Sequence, residues 1–348
     1  MRATVIIASE WQPDAVGWPL IIGVNMRRRQ FIGLVAGAAA SSVSSAPAQK
    51  RLFQIGWLAF GHDAQSPIDR SLKDALAQNG LVERQTIEIV YRFAGGSSAQ
   101  LLPLANELAD LKPDLLLGVG GDVVKALAEA SKQRIPVVGG VSENPVKAEL
   151  ATSLARPDRN FTGVTFLTDE MAAKRVELLK EAIPGAKRVA VIHNPQHLDD
   201  ELAFAQRAAG LLAIELFASP ITSAGDLDPV LREAVAVKAD AIFVIASRLT
   251  NLLSEQLARF GLAEKIPVIA AWREFAVNGA LLSYGPDRAL QARRLAEYVR
   301  KVLNGAKPAD LPIEQPTKFE LVINLKTART IGLTINREVL LRADDLID

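Results

Sequence analysis

From Arg51 onward, short apolar runs alternate with amphipathic ones. "LFQIGWLAF" reads as a strand and Ile68 to Gln78 as a helix that stops at Asn79-Gly80. "TIEIVYRF", "DLLLGVG" and "IPVVGGV" continue as strands, separated by the helical "AQLLPLANELADL" and "DVVKALAEASKQ". Parallel strands need a long crossover, and a helix is the usual one, so this order predicts βαβ units. "TIEIVYRF" alternates, while runs such as "DLLLGVG" and "IPVVGGV" are continuously apolar, as expected when helices cover both faces of a sheet. The second half repeats the order with "RVAVIHN", "IELFAS", "AIFVIAS" and "IPVIAAW" as strands, and with helices over Asp199 to Leu212, Leu227 to Val237 and Leu249 to Ala263. The expected class is α/β: two doubly wound, Rossmann-like parallel-sheet lobes.

The halves also echo each other in detail. "KPDLLLGVGGD" from Lys112 resembles "KADAIFVIASR" from Lys238, and "RIPVVGGVSE" from Arg134 resembles "KIPVIAAWRE" from Lys265. Two further strand-like runs, Phe161 to Phe166 and Ala280 to Gly285, lie near changes of lobe. Arg288 to Leu303 is a long amphipathic run, and "FELVINLKTARTIGL" from Phe319 reads as strand then helix. The expected division is 49–163 plus 280–312 for lobe 1 and 164–279 plus 313–348 for lobe 2. Three crossings between lobes form a hinge.

Ahead of this lies "MRRRQFIGLVAGAAASSVSSAPAQK", Met26 to Lys50. Three arginines, a short apolar core and Ala46-Pro47-Ala48 make a secretory signal, with cleavage after Ala48. Its apolar core is well below the roughly 20 residues of a spanning helix. Arg28-Arg29-Gln30-Phe31-Ile32 partly matches a twin-arginine signal, so both the Sec and the twin-arginine routes stay open. Residues 1–25 read as an over-extended start. An exported, periplasmic product is expected. The chain has no cysteine, so it holds itself by its core rather than by disulfides. A net charge of +1 gives no basic face for nucleic acid.

Open parallel sheets bind ligands outside the carboxyl ends of their strands. In lobe 1 those ends carry Phe60-Gly61-His62, Gly120-Gly121-Asp122 and Ser142-Glu143-Asn144; in lobe 2, His193-Asn194-Pro195, Ser247-Arg248 and Trp272-Arg273-Glu274. Tyr284 ends its strand in the same way. The candidate ligand-binding residues are therefore Phe60, Gly61, His62, Gly120, Gly121, Asp122, Ser142, Glu143, Asn144, Asn194, Ser247, Trp272 and Tyr284. Competing roles stand beside these. Asp122 fits a helix N-cap, Phe60 and Trp272 fit the core, and Arg273 and Glu274 fit a surface pair with each other. Catalytic signals are thin. His193 and His197 have a metal-pair spacing only on a helix, and Pro195 between them argues for a loop. No phosphate-binding glycine loop, nucleophile elbow or cysteine nucleophile is present. No catalytic residue, metal or cofactor is expected.

"ATSLARPDRNFTGVTF", "AAKRVELLKEAIPGAKRVAVIHNP", "WREFAVNGALLSYGPD" and "LPIEQPTKFELVINLKTARTIGLTI" resemble the ABC-transporter substrate-binding proteins of the tryptophan/tyrosine type. The resemblance implies a type I periplasmic binding protein with three interlobe crossings. It implies capture of an amino acid or related aromatic or carboxylate solute and delivery to an inner-membrane ABC permease by a monomer. In similar proteins a G-[GT]-x segment after the third strand meets the ligand, which maps here onto Gly120, Gly121 and Asp122. The loop after the fourth strand departs from the usual Asp or Thr before Pro and reads Ser142-Glu143-Asn144-Pro145. The rival readings are a ligand sensor feeding a membrane kinase or chemoreceptor, and an enzyme using the same cleft.

Overall fold

The computed structural model describes residues 52–166, 168–197 and 200–348. The expected signal segment 26–48 and residues 1–25 lie outside them. One sheet has five strands in the order β2-β1-β3-β4-β5: β1 Phe53–Ala59, β2 Ile87–Phe93, β3 Leu115–Val119, β4 Val137–Val141 and β5 Phe161–Thr165. All its pairs are parallel. The second sheet has seven strands in the order β12-β11-β10-β9-β8-β6-β7. They are β6 Arg188–His193, β7 Glu215–Pro220, β8 Ala241–Val244, β9 Val268–Ala270, β10 Leu282–Pro286, β11 Phe319–Asn324 and β12 Asp345–Ile347. Among the described residues, only β10 and β11 pair antiparallel. With β11 and β12 set aside, the two sheets have the same order, and the expected pair of doubly wound lobes is present.

Burial explains the continuous apolar strands. On one face of the five-stranded sheet, Ile55, Trp57, Leu115, Leu117 and Val138 pack with Leu72 and Leu76 of helix Pro67–Gln78 and Leu295 and Val299 of helix Arg288–Leu303. On the other, Leu58, Leu116, Val137 and Val141 meet Ala105 and Leu108 of helix Leu101–Asp110 and Val123 and Leu127 of helix Gly121–Ser131. Alternate residues of each strand point to opposite faces, so both faces demand apolar side chains. Among the described residues, no helix is long and apolar enough to cross a membrane.

The internal echo is structural as well. Lys112 and Lys238 both adopt positive φ, +52° and +51°, just before β3 and β8. Asp114 accepts from the Gln54 N–H at 2.8 Å. Asp240 accepts from the Lys187 and Arg188 N–H groups, each at 2.8 Å. The same carboxylate thus ties the start of the third strand of each lobe to the first. Lys132 and Lys265, in left-handed conformation, end the helices that lead into β4 and β9.

The crossings differ from the expected boundaries. β5 pairs with β4 as far as Val141 with Thr165, so lobe 1 continues past residue 163. β10 is hydrogen-bonded to β9 and β11, and its Leu282 packs with Ile269 and Ile323, so Ala280 to Pro286 stays with lobe 2. The return to lobe 1 begins at helix Arg288–Leu303. The chain stays there through Glu314, whose N–H donates to Gly163 O at 2.9 Å. It re-enters lobe 2 at β11. The second and third crossings are tied together: Asp287 N–H donates to Lys318 O at 3.1 Å, and the Lys318 ammonium reaches the Asp287 carboxylate at 3.3 Å.

Candidate ligand-binding cleft

The carboxyl ends of β1, β3 and β4 meet those of β8 and β9 around a cavity of about 800 Å3. Lobe 1 lines it with Phe60, Gly61, His62, Gly120 and Ser142; lobe 2 with Ser247, Arg248 and Trp272. The lobes also touch through Lys147, which pairs with Asp200 at 2.6 Å.

Arg248, at the start of helix Arg248–Leu252, reaches across to lobe 1. It pairs with Asp122, and its guanidinium lies 4.6 Å above the Phe60 ring centroid. A Cβ on Gly120 would collide with Nη1, and Gly120 itself has a φ of +114° that disfavours any side chain. In the echoed segments Asp122 aligns with Arg248, so the two lobes meet through equivalent positions of opposite charge. Glu143 lies against Gly121, where a Cβ would collide with its carboxylate. Glu143 is buried, and neither of its oxygens has a hydrogen-bond partner on another residue. Burial pushes its carboxyl up to about 7; its own N–H lowers it, Asp122 raises it and Arg248 lowers it.

A second cluster sits at the hinge. The Trp272 ring meets Phe166 edge-on at 5.5 Å, and the Arg288 guanidinium lies 4.8 Å from its centroid. Phe166 belongs to the first crossing and Arg288 to the second. Arg288 is 3.5 Å from Glu274. Asp69 faces the same cavity, its carboxyl raised by burial against the opposing Ser66 hydroxyl and Arg288 charge. His197 also lines the cavity; burial, reinforced by Arg248, lowers its imidazole to about 3, so it is neutral at physiological pH.

Phe60, Gly61, His62, Gly120, Ser142, Ser247 and Trp272 meet in the cavity, but several carry structural duties. Ser247 is a helix cap: its Oγ accepts from Thr250 N–H at 3.0 Å, and Thr250 Oγ1 accepts from Ser247 N–H at 2.9 Å. Asn144 and Asn194 lie off the cavity and hold turns, accepting from Val146 N–H and Gln196 N–H, each at 2.9 Å. Gly121, Asp122 and Glu143 sit behind Arg248 rather than on the cavity wall. Gly120, not Asp122, is the N-cap of helix Gly121–Ser131. Tyr284 is remote, because its ring stacks with Phe319 at 6.2 Å on the seven-stranded sheet. Arg273 and Glu274 do not pair: Arg273 goes to Asp345, and Glu274 to Arg288. Sequence reasoning placed Arg248 at a strand end but left it, with Arg288, Phe166 and Asp69, off the candidate list. For Arg248 the signal was the echo itself, which sets a cation opposite Asp122.

Two doubly wound lobes with three crossings and a cavity at their facing strand ends make up the type I periplasmic-binding-protein fold. Residues 57–347 match the model of the ABC transporter substrate binding protein family, and the chain belongs to that family. It is 23% identical over 275 residues to the tyrosine-binding protein of Clostridioides difficile, with 78% of each chain covered. A conserved domain protein of Vibrio cholerae has a similar structure, with a TM-score of 0.78 and 27% identity over 85% of this chain and 100% of that one. An ABC domain of Streptococcus pneumoniae in complex with L-Trp gives a TM-score of 0.76 at 24% identity, with the same coverage.

Proposed function

We propose that the protein captures an amino acid, or a related aromatic or carboxylate solute, in the interlobe cleft and delivers it unaltered to the permease of an ABC importer. Export past the cytoplasmic membrane by the Met26–Ala48 signal belongs to the same reading. The observation that carries it is the cavity of about 800 Å3, walled by Phe60, Phe166 and Trp272 and edged by Arg248, Arg288, Asp69 and Glu274. Aromatic faces suit an apolar or aromatic side chain, while opposite charges within one cleft suit a zwitterion. The tyrosine-binding relative and the L-Trp complex support the same ligand class.

The cleft also buries polar atoms with no hydrogen-bond partner: Arg248 Nε and Nη1, Asn251 Oδ1, Trp272 Nε1, Glu274 Oε2 and Arg288 Nε. Each such atom costs roughly 1–3 kcal/mol. A ligand that satisfies some of them shifts the population toward closure. The test is a thermal-shift screen of L-tryptophan, L-tyrosine, L-phenylalanine and aromatic acids, followed by calorimetry on the hits. A binder raises the melting temperature by mass action. No binding by any of these solutes would refute the proposed ligand class.

A further inference from the structure

We propose that lobe 1 carries a subsite for an alkylguanidinium or alkylammonium group, which Arg248 fills as a tethered occupant when the lobes meet. The socket has three parts. Phe60 supplies an aromatic face, with the Arg248 guanidinium 4.6 Å from its centroid. Asp122 supplies a carboxylate partner, and Glu143 a second carboxylate close behind it. Gly120 and Gly121 supply room, because a Cβ on either would collide with Arg248 or Glu143.

Two observations beyond the acidic pair point to an occupant. Glu143 is 4% exposed, and neither oxygen has a hydrogen-bond partner on another residue. Arg248 uses one edge of its guanidinium on Asp122 and leaves Nε and Nη1 unpaired. The fit of the tethered group is therefore incomplete, and a free cation can improve on it. Only the lobe 2 side chain leaves when the lobes part; Phe60, Gly120, Gly121, Asp122 and Glu143 all remain together on lobe 1. An open protein thus offers this socket to the cationic group of an incoming solute. This deepens the proposed function and rests on the cleft being the solute site.

The test uses methylguanidinium as probe, titrated by calorimetry into the full exported chain. Arg248→Ala empties the socket and is expected to bind the probe at least tenfold more tightly than the parent protein. Adding Asp122→Asn to that variant is expected to abolish the gain. Arg248→Lys refills the socket and is expected to behave as the parent does. If Arg248→Ala does not fold, Arg248→Ser, which keeps the cavity empty with a residue tolerated in a first helical turn, takes its place. Equal probe binding by the emptied variant and the parent, or a gain that survives Asp122→Asn, would overturn the inference. The outcome is separable from the proposed function: failure of every amino acid to bind the parent would remove the solute reading and leave the methylguanidinium result standing.

Discussion

At the scale of single residues, side chains in the cleft serve both the fold and the site. Glu143 shows this through pH. Its carboxyl is raised from the ordinary value of 4.5 to about 7 in the folded protein. The folded state then holds a proton that the unfolded state releases between these values. Stability is full below about 4.5, falls as pH rises toward 7, and stays lower above it. Glu143→Gln removes the penalty, so the variant is expected to be more stable than the parent at pH 8, by at most roughly 3 kcal/mol, and nearly equal at pH 4.5. Urea unfolding at the two pH values measures this; equal effects at both would contradict a raised carboxyl. Trp272 is 3% exposed and packed on Phe166 and Arg288, so it is core as well as wall. Trp272→Ala is expected to destabilise by about 3–5 kcal/mol in urea unfolding. In calorimetry with a solute from the screen, at a temperature where the variant is folded, it should also weaken binding by about 1–3 kcal/mol.

Residue roles were the least legible part of the sequence, for a physical reason. A polar residue after a strand serves equally well as cap, turn former or ligand contact, and all three use the same atoms. Asn144, Asn194 and Ser247 took the local hydrogen bonds. The decisive partner of Asp122 is Arg248, a residue on the other lobe. No periodicity reports a contact between residues so far apart in the chain.

Secondary-structure elements were far more legible. Continuous apolar runs gave most of the strands because helices cover both sheet faces, and the repeated segments pointed to two lobes of the same kind. The crossings were misplaced because a strand looks the same in either sheet. Nothing in "ALLSYG" tells whether β10 pairs with β9 or with a strand of lobe 1; the packing of Leu282 against Ile269 and Ile323 decides it. Two element-level predictions follow from hydrogen bonds and close approach. Ser247→Ala breaks the cap of helix Arg248–Leu252 and is expected to cost about 1–2 kcal/mol in urea unfolding. Gly163 in β5 has a φ of +147°, and a Cβ there would strike the Gly139 carbonyl oxygen of β4. Gly163→Ala is expected to lower the melting temperature in calorimetric scans by more than Gly305→Ala. Gly305 also has positive φ, at +98°, but has open space around its Cβ position.

At the scale of the whole molecule, three crossings join the lobes and ion pairs across the cleft bridge them. The Arg248–Asp122 and Lys147–Asp200 pairs bridge the lobes in this structure. Neither suffices alone, because exposed pairs such as Lys147–Asp200 contribute little and Arg248 keeps unpaired donors. Under the proposed function, a ligand supplies the missing interactions and closure is the signal a permease reads. Small-angle X-ray scattering of residues 49–348, without and with a saturating solute taken from the amino-acid screen, tests this most directly. A smaller radius of gyration on saturation is the predicted result. An unchanged radius with a solute shown by calorimetry to be bound would contradict capture by closure.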